Sequence, residues 1–208
     1  MPENTHQIDR LNRVVTALAE KYVGVFAAET IERVVFESYA SLLRAGTKAS
    51  SVTVFAEKFS KDRLRALATA KGNAAKDKPE VLFVCVQNAG RSQMAMALMA
   101  SLSGGAINVR SAGSMPASEV SAKTIAVMKE IGLDLTEAFP KPLTDDVVQA
   151  ADVVITMGCG DTCPFFPGKT YLDWPLDDPA GQGVDAVRPI RDAVRAKVEA
   201  LIAEIDAK

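Results

Sequence analysis

One stretch constrains the fold more than any other: an apolar run that passes through a short polar loop into a helix. Val81–Val84 has the character of a buried β-strand, and residues 94–100 have high helix propensity. Gly90, in the loop between them, permits a close approach of the backbone. Such a strand, loop and helix point unpaired backbone N–H groups into the turn, so the sequence predicts an oxyanion site here.

Cys85 and Arg91 stand at the two ends of this loop, with five residues between them. N–H groups that hold a tetrahedral anion also favour the thiolate, which is the nucleophilic form of cysteine. The planar guanidinium of Arg91 can grip two anion oxygens, and the Ser92 hydroxyl can donate a hydrogen bond to the thiolate. A buried structural cysteine with an incidental arginine is the alternative. The position between a strand and a helix favours catalysis.

The loop therefore supplies the predicted nucleophile Cys85 and a predicted substrate-binding segment. The residues of that segment are Val86, Gln87, Asn88, Ala89, Gly90, Arg91 and Ser92. Asn88, besides glycine, is of a type that tolerates a positive φ. Ser111, in a later turn, can also hydrogen-bond the loop, although a simple turn role is equally compatible with the sequence.

Composition and charge exclude several classes of protein. The chain is 48% hydrophobic and 24% charged, and its net charge of −2 offers no broad basic surface for nucleic acid or an anionic membrane. Its apolar runs are shorter than the ~20 residues of a membrane-spanning helix, and the N-terminus is unlike a signal peptide. Three cysteines, an odd number, favour redox or catalytic use. We expect a cytoplasmic protein.

The sequence predicts two domains of different type. Residues 7–70 repeat apolar side chains at three- and four-residue steps, which predicts three helices. A polar segment with a glycine and a proline follows over 70–79 and is typical of a linker. We predict a three-helix bundle over 1–75 and a second domain over 79–208. Because the bundle is small and lacks cysteine, we interpret it as a homodimerisation module rather than a structural cap.

From Glu80 onwards strands alternate with helices, which predicts an α/β domain: a four-stranded parallel sheet flanked by helices. We expect strands near residues 81–84, 107–110, 152–157 and 170–172. Such sheets bind ligands outside the carboxyl ends of their strands. Cys85 follows the first strand, Cys159 and Cys163 follow the third, and Asp178 follows the fourth. The chemically useful residues therefore share one edge.

Cys159 and Cys163 admit three interpretations. A zinc site needs about four ligands, and the only histidine is His6 in the other domain. Zinc would therefore need all three cysteines and a carboxylate, so we expect no metal. Inert burial is possible for either cysteine alone. A redox pair is favoured, because a thiol relay can pass a disulfide outward to an external reductant.

Three segments resemble arsenate reductases of the low-molecular-weight protein tyrosine phosphatase fold. They are the loop Cys85–Ser92 with the following Gln-Met-Ala, the turn Ser111–Gly113, and Asp177–Gly181. The resemblance covers about residues 80–206. The N-terminal helices resemble the three-helix dimerisation domain that accompanies some of these enzymes, and Gly160–Thr162 resembles an actinobacterial-type subgroup.

The resemblance implies a role for each site residue. Cys85 would attack arsenate, Arg91 would bind it, and Asp178 would act as the general acid. Cys159 would then attack the Cys85–arsenic adduct and form a disulfide with Cys85. Cys163 would attack Cys159, and thioredoxin would reduce the resulting Cys159–Cys163 disulfide. No bound cofactor is implied beyond an external thiol reductant, which could also be a small thiol.

Some features depart from the family pattern or leave alternatives open. Lys141 and Met96 stand where other members carry acidic residues for a potassium ion, so no metal site is carried over. From the residues alone, Asp178 could simply mark a turn before Pro179. A protein tyrosine phosphatase needs the same loop and acid but not the two later cysteines, and Gln93 replaces its usual proline. A non-enzymatic sensor of oxyanions or arsenite is the third possibility.

Overall fold

The computed structural model describes residues 2–73, 76–158 and 163–207. The chain divides into two compact units, residues 1–76 and residues 77–208, called unit 1 and unit 2 below. None of the described helices combines the length and the apolar character needed to cross a bilayer.

Unit 1 contains three helices: α1 (Pro2–Lys21), α2 (Ala28–Arg44) and α3 (Ala49–Ala70). Apolar side chains at the predicted three- and four-residue steps form its core. These are Leu11, Leu18, Ile31, Val34, Val35, Leu42, Val52, Phe59 and Leu64. Gly46, with a φ of 81°, ends α2, and the next backbone N–H turns back to the carbonyl of Leu42 at 3.1 Å.

A buried arginine ties α3 to α2. Arg63 donates to Ser38 Oγ at 3.2 Å and pairs with Glu37 at 3.2 Å. Partial burial alone would raise the pKa of Glu37, but hydrogen bonds from Arg63 and Arg33 hold it below the usual value. The helix pair is therefore fixed by a charge-assisted contact as well as by apolar packing.

Unit 2 is an α/β layer structure whose strands are all parallel, in the order β2-β1-β3-β4. Its elements are β1 (Glu80–Cys85), α4 (Arg91–Leu102), β2 (Asn108–Gly113), α5 (Ala122–Lys129), α6 (Asp145–Ala150), β3 (Val153–Met157), β4 (Thr170–Asp173) and α7 (Val184–Asp206). The predicted four-stranded parallel sheet is confirmed. β2 runs three residues beyond its predicted end, because it stays paired with β1 up to Cys85 and Gly113.

The central strand β1 positions the site. All six of its residues are buried, since β2 and β3 pair with its two edges and helices cover the sheet. Phe83 packs against the single tryptophan, Trp174, with ring centroids 5.6 Å apart. Cys85 ends β1 and therefore lies at the carboxyl edge of the sheet, between the ends of its two neighbouring strands.

Candidate active site

Backbone hydrogen bonds turn the carbonyl groups of the loop after β1 outward. The carbonyl oxygens of Cys85, Val86, Gln87 and Ala89 accept backbone N–H groups from segment 114–121 at distances of 2.9–3.2 Å. With these carbonyls bound on the outside, the N–H groups of the loop turn inward and form a nest for an anion. We call residues 85–92, in this conformation, the anion loop.

Asn88 gives the anion loop its sharp inward turn. Its φ is +48°, in the left-handed region, and its N–H donates to Cys85 Sγ at 3.2 Å. Its side-chain Oδ1 accepts two N–H groups, from Gln93 Nε2 at 3.0 Å and from the Lys141 backbone at 2.8 Å. The amide nitrogen must therefore face Ser92, and it donates to Ser92 Oγ at 2.7 Å.

This orientation fixes the role of the serine hydroxyl. Ser92 Oγ lies 2.9 Å from Cys85 Sγ. Because Ser92 Oγ already accepts a hydrogen bond from Asn88, its own hydrogen is free to point at the sulfur. In its thiolate form Cys85 Sγ has no hydrogen to donate, so it accepts both the Asn88 N–H and the Ser92 hydroxyl, and both stabilise negative charge on it.

Gln93 holds the anion loop in place through side-chain hydrogen bonds, a role that the sequence did not reveal. Its side chain is fully buried, and Nε2 lies within 3.1 Å of three acceptors: the carbonyl oxygens of Asn88 and Phe139 and the side-chain oxygen of Asn88. Among the carbonyl groups of residues 85–89, that of Asn88 is the one that does not accept an N–H group from segment 114–121. Gln93 therefore completes the outward pairing of the loop and holds the left-handed residue in place.

The structure brings Arg91 and Asp178 together at the mouth of the anion loop. Arg91 begins α4 and is only 7% exposed; it donates to the Leu176 carbonyl at 3.1 Å and to Asp178 Oδ2 at 3.0 Å. The Asp178 side chain is 58% exposed, and its other oxygen accepts the Ala180 N–H at 3.0 Å. Cys85, Arg91 and Asp178 line one cleft together with Pro179.

Three glycines allow the neighbouring segments to approach this closely. A Cβ on Gly113 would lie 2.7 Å from the Val86 carbonyl oxygen, and a Cβ on Gly90 would lie 2.7 Å from Pro179 Cγ. Gly158 follows β3 with a φ of 73°, and a Cβ there would lie 3.2 Å from Arg91 Nη1. The anion loop is thus packed between the end of β2, the Asp178 segment and the residue after β3.

The remaining predicted residues have different outcomes. Cys163 is a partly buried free thiol, as Cys85 is a buried one, whereas Cys159 lies outside the described residues. Neither role considered for Ser111 is seen in the described part of the chain: it lies within β2 and not in a turn, and its buried hydroxyl has no partner there. Gly113, in register with Cys85, packs against the loop instead, while its N–H donates to the Lys141 carbonyl at 2.8 Å. Within residues 2–73, 76–158 and 163–207, no group of three acidic, histidine or cysteine side chains could hold a metal.

A cysteine thiol and an arginine at the ends of an N–H nest, at the carboxyl edge of a parallel sheet and beside an aspartate, define a phosphatase-like oxyanion site. The chain belongs to the low molecular weight phosphotyrosine protein phosphatase family, whose model matches residues 80–208. A second model, the N-terminal domain of protein-tyrosine-phosphatase-like proteins, matches residues 11–68. These matches confirm the resemblance found in the sequence.

Known proteins of two kinds resemble the chain. A thioredoxin-dependent arsenate reductase from Corynebacterium glutamicum is 48% identical, with 95% of this chain and 96% of that chain covered and a TM-score of 0.86. A glutaredoxin arsenate reductase from Synechocystis is 38% identical over 129 residues, which are 61% of this chain and 98% of that protein. An arginine phosphatase from Geobacillus stearothermophilus is 26% identical over 62% of this chain and 94% of its own, with a TM-score of 0.55.

The support that Gln93 gives the anion loop can be tested with Gln93→Met, which keeps the length of the side chain but removes its N–H donors. Two buried carbonyls then lose a partner, so we expect the free energy of unfolding to fall by about 1–3 kcal/mol. We also expect phosphate and arsenate to bind at least tenfold more weakly, measured by isothermal titration calorimetry. Gln149→Met, an exposed position on α6, is the matched control. Unchanged anion affinity in Gln93→Met would contradict the role.

The contact between Gly158 and Arg91 predicts a specific defect in Gly158→Ala. Alanine at a φ of 73° costs about 1 kcal/mol wherever it stands, and here its methyl group also displaces the guanidinium. Gly132→Ala is the control, because Gly132 has a φ of 80° and open space around it. We expect both variants to lose similar stability in urea denaturation and only Gly158→Ala to lose anion affinity. Equal anion affinity in the two variants would refute the contact.

Proposed function

We propose that the protein is an arsenate reductase that converts arsenate to arsenite through Cys85, Cys159 and Cys163. The observation that carries the proposal is the 48% identity to the Corynebacterium thioredoxin-dependent arsenate reductase, which extends over 95% of the chain and so includes both units. The geometry of the anion loop supports it, because a thiol with two hydrogen-bond donors stands at the base of an oxyanion nest.

In the first step, the Cys85 thiolate attacks the arsenic of an arsenate dianion held by the N–H groups of the anion loop. Arg91 releases Asp178 and donates to two arsenate oxygens instead, which lets the guanidinium stabilise the charge that develops during attack. Asp178, in its protonated form, gives its proton to the leaving oxygen, which departs as water. The position of Asp178 supports this assignment, because it lines the same cleft as Cys85 and Arg91.

In the second step, the Cys159 thiolate attacks the sulfur of Cys85. The electron pair of the sulfur–arsenic bond passes to arsenic, which is reduced from As(V) to As(III) and leaves as arsenite. A Cys85–Cys159 disulfide remains. Gly158, the residue before Cys159, contacts Arg91, so the chain leaves β3 beside the anion loop.

In the third step, the Cys163 thiolate attacks Cys159, releases Cys85 as a thiolate and leaves a Cys159–Cys163 disulfide. A thioredoxin then donates two electrons and two protons to restore both thiols. Thioredoxin is preferred to glutaredoxin because the relative that matches both units is thioredoxin-dependent, whereas the Synechocystis protein matches 61% of the chain. We propose that the cycle uses no bound cofactor and runs in the cytoplasm, where thiols are kept reduced.

A phosphotyrosine or other phosphomonoester hydrolase is the second candidate. The anion loop and Asp178 suffice for that reaction, with water in place of Cys159 as the group that resolves the Cys85 intermediate. The likeness to the Geobacillus arginine phosphatase favours keeping it. An oxyanion sensor is the non-enzymatic alternative, and it would consume no reducing equivalents catalytically.

The variant Cys159→Ser separates the reductase from the phosphatase. It leaves the anion loop intact but removes the thiol that attacks the Cys85 sulfur, so the electron pair of the sulfur–arsenic bond cannot pass to arsenic. We expect arsenate turnover, followed as NADPH oxidation with thioredoxin and its reductase, to fall below one-hundredth of the wild-type rate, while any hydrolysis of p-nitrophenyl phosphate persists. Cys85→Ser is the control that abolishes both. Undiminished arsenate reduction in Cys159→Ser would refute the relay.

We further propose that unit 1 is a homodimerisation module. Val54 on α3 is 40% exposed and lines a hollow against α1 with Val14 and Ala17, and Arg10, Arg13 and Glu57 line the same hollow. A second copy would cover this mixed apolar and charged surface. The match of residues 11–68 to a separate N-terminal domain model supports a distinct role for this unit.

The dimer proposal predicts the effect of a charge at this surface. The wild-type chain should sediment at twice its chain mass at micromolar concentration, and Val54→Lys should sediment as a monomer, because it adds a third positive charge beside Arg10 and Arg13 and the burial of like charges at an interface is unfavourable. Leu102→Lys, at a position of similar exposure on α4 in unit 2, should stay dimeric. Circular dichroism checks that both variants fold. A monomeric wild type would refute the proposal.

A further inference from the structure

We propose that Phe165, with Pro164 and Tyr171, forms the docking surface for the protein dithiol that reduces the Cys159–Cys163 disulfide. These three residues are called the Phe165 patch. The proposal rests on the proposed function, since it assigns a surface to the reductant of that reaction.

Phe165 is exposed but held in one place. It is 75% exposed, while its ring stacks on Tyr171 with centroids 4.9 Å apart and an interplanar angle of 27°. The Tyr171 hydroxyl donates to the Pro164 carbonyl at 3.2 Å and accepts the Phe166 N–H at 2.8 Å. An aromatic ring presented in this way loses little conformational entropy when a partner covers it.

The position of the Phe165 patch points to the redox reaction. Phe165 follows Cys163 by two residues, and residues 163–168 carry no charged side chain. A partner can therefore cover this segment without desolvating a charge. Phe165 lies in the connection that leads from β3 to the edge strand β4, and its partner Tyr171 in β4 is in register with Val154. The patch therefore lies at the β4 edge of the sheet and follows Cys163 directly along the chain.

The chemistry of the patch selects the kind of partner. Arsenate is small and polar and gains nothing from an exposed phenyl ring, and a small thiol needs no docking surface. A protein dithiol must bring one sulfur within bonding distance of the disulfide and must stay through two exchange steps. Rigid aromatic side chains are typical energetic anchors of such protein interfaces. The partner's two thiols become a disulfide as Cys159 and Cys163 gain two electrons and two protons.

The test compares Phe165→Ala with Val23→Ala in the full-length protein. Val23 is the matched control because it is 77% exposed and belongs to unit 1, outside the phosphatase-like unit that carries the anion loop. Three quantities are measured for each: arsenite released in a single turnover without reductant, the steady-state rate with dithiothreitol, and KM for thioredoxin. We expect Phe165→Ala to raise KM for thioredoxin about tenfold and to leave the other two unchanged.

The outcomes separate the surface from the reaction. An unchanged KM for thioredoxin in Phe165→Ala, or an equal rise in Val23→Ala, overturns the docking surface and leaves the relay intact. If Phe165→Ala releases less arsenite than the wild type in a single turnover, Phe165 acts in the chemical steps, and this result also overturns the proposal. If the wild-type protein releases no arsenite in a single turnover, the proposed function itself fails.

Discussion

The site depends on the outward pairing of the carbonyl groups in the anion loop. Four of them bind N–H groups of segment 114–121, and the Asn88 carbonyl binds the Gln93 side chain. An N–H nest cannot form unless its carbonyls are satisfied elsewhere, because a buried backbone oxygen without a partner costs about 1–3 kcal/mol. The cradle for the oxyanion is therefore a property of three segments together, and the loop sequence alone does not make it.

The same pairing organises the chemistry of the thiol. With both acceptor positions of the Asn88 amide oxygen used, its nitrogen faces Ser92, and the serine hydrogen is left for Cys85 Sγ. The buried side chain of Gln93 thus helps to fix the orientation of the Asn88 amide, and that amide in turn leaves the Ser92 hydroxyl to donate to Cys85 Sγ.

Much of the fold follows from local patterns, which is why it could be predicted from the sequence. Helical periodicity identified the helices of unit 1, and the run from Val81 through Gly90 identified the strand, the loop and the helix that follow one another around Cys85. The contact between Arg91 and Asp178 was harder to predict from the sequence, because the two residues are 87 positions apart and no periodic pattern links them. Ser111 was misjudged because β2 extends to Gly113, and only the end of the strand reaches the loop.

Because main-chain N–H groups hold the anion loop, some positions around it can change in sequence without loss of the loop conformation. Segment 114–121 holds the cradle through the N–H groups of Ser114, Met115, Ala117 and Ser121, and these hydrogen bonds do not depend on the identity of the side chains. The one proline in the segment, Pro116, occupies a position whose nitrogen takes no part in that pairing. Substitution of an exposed side chain here, such as Met115, can therefore change which molecules enter while the oxyanion chemistry is inherited unchanged.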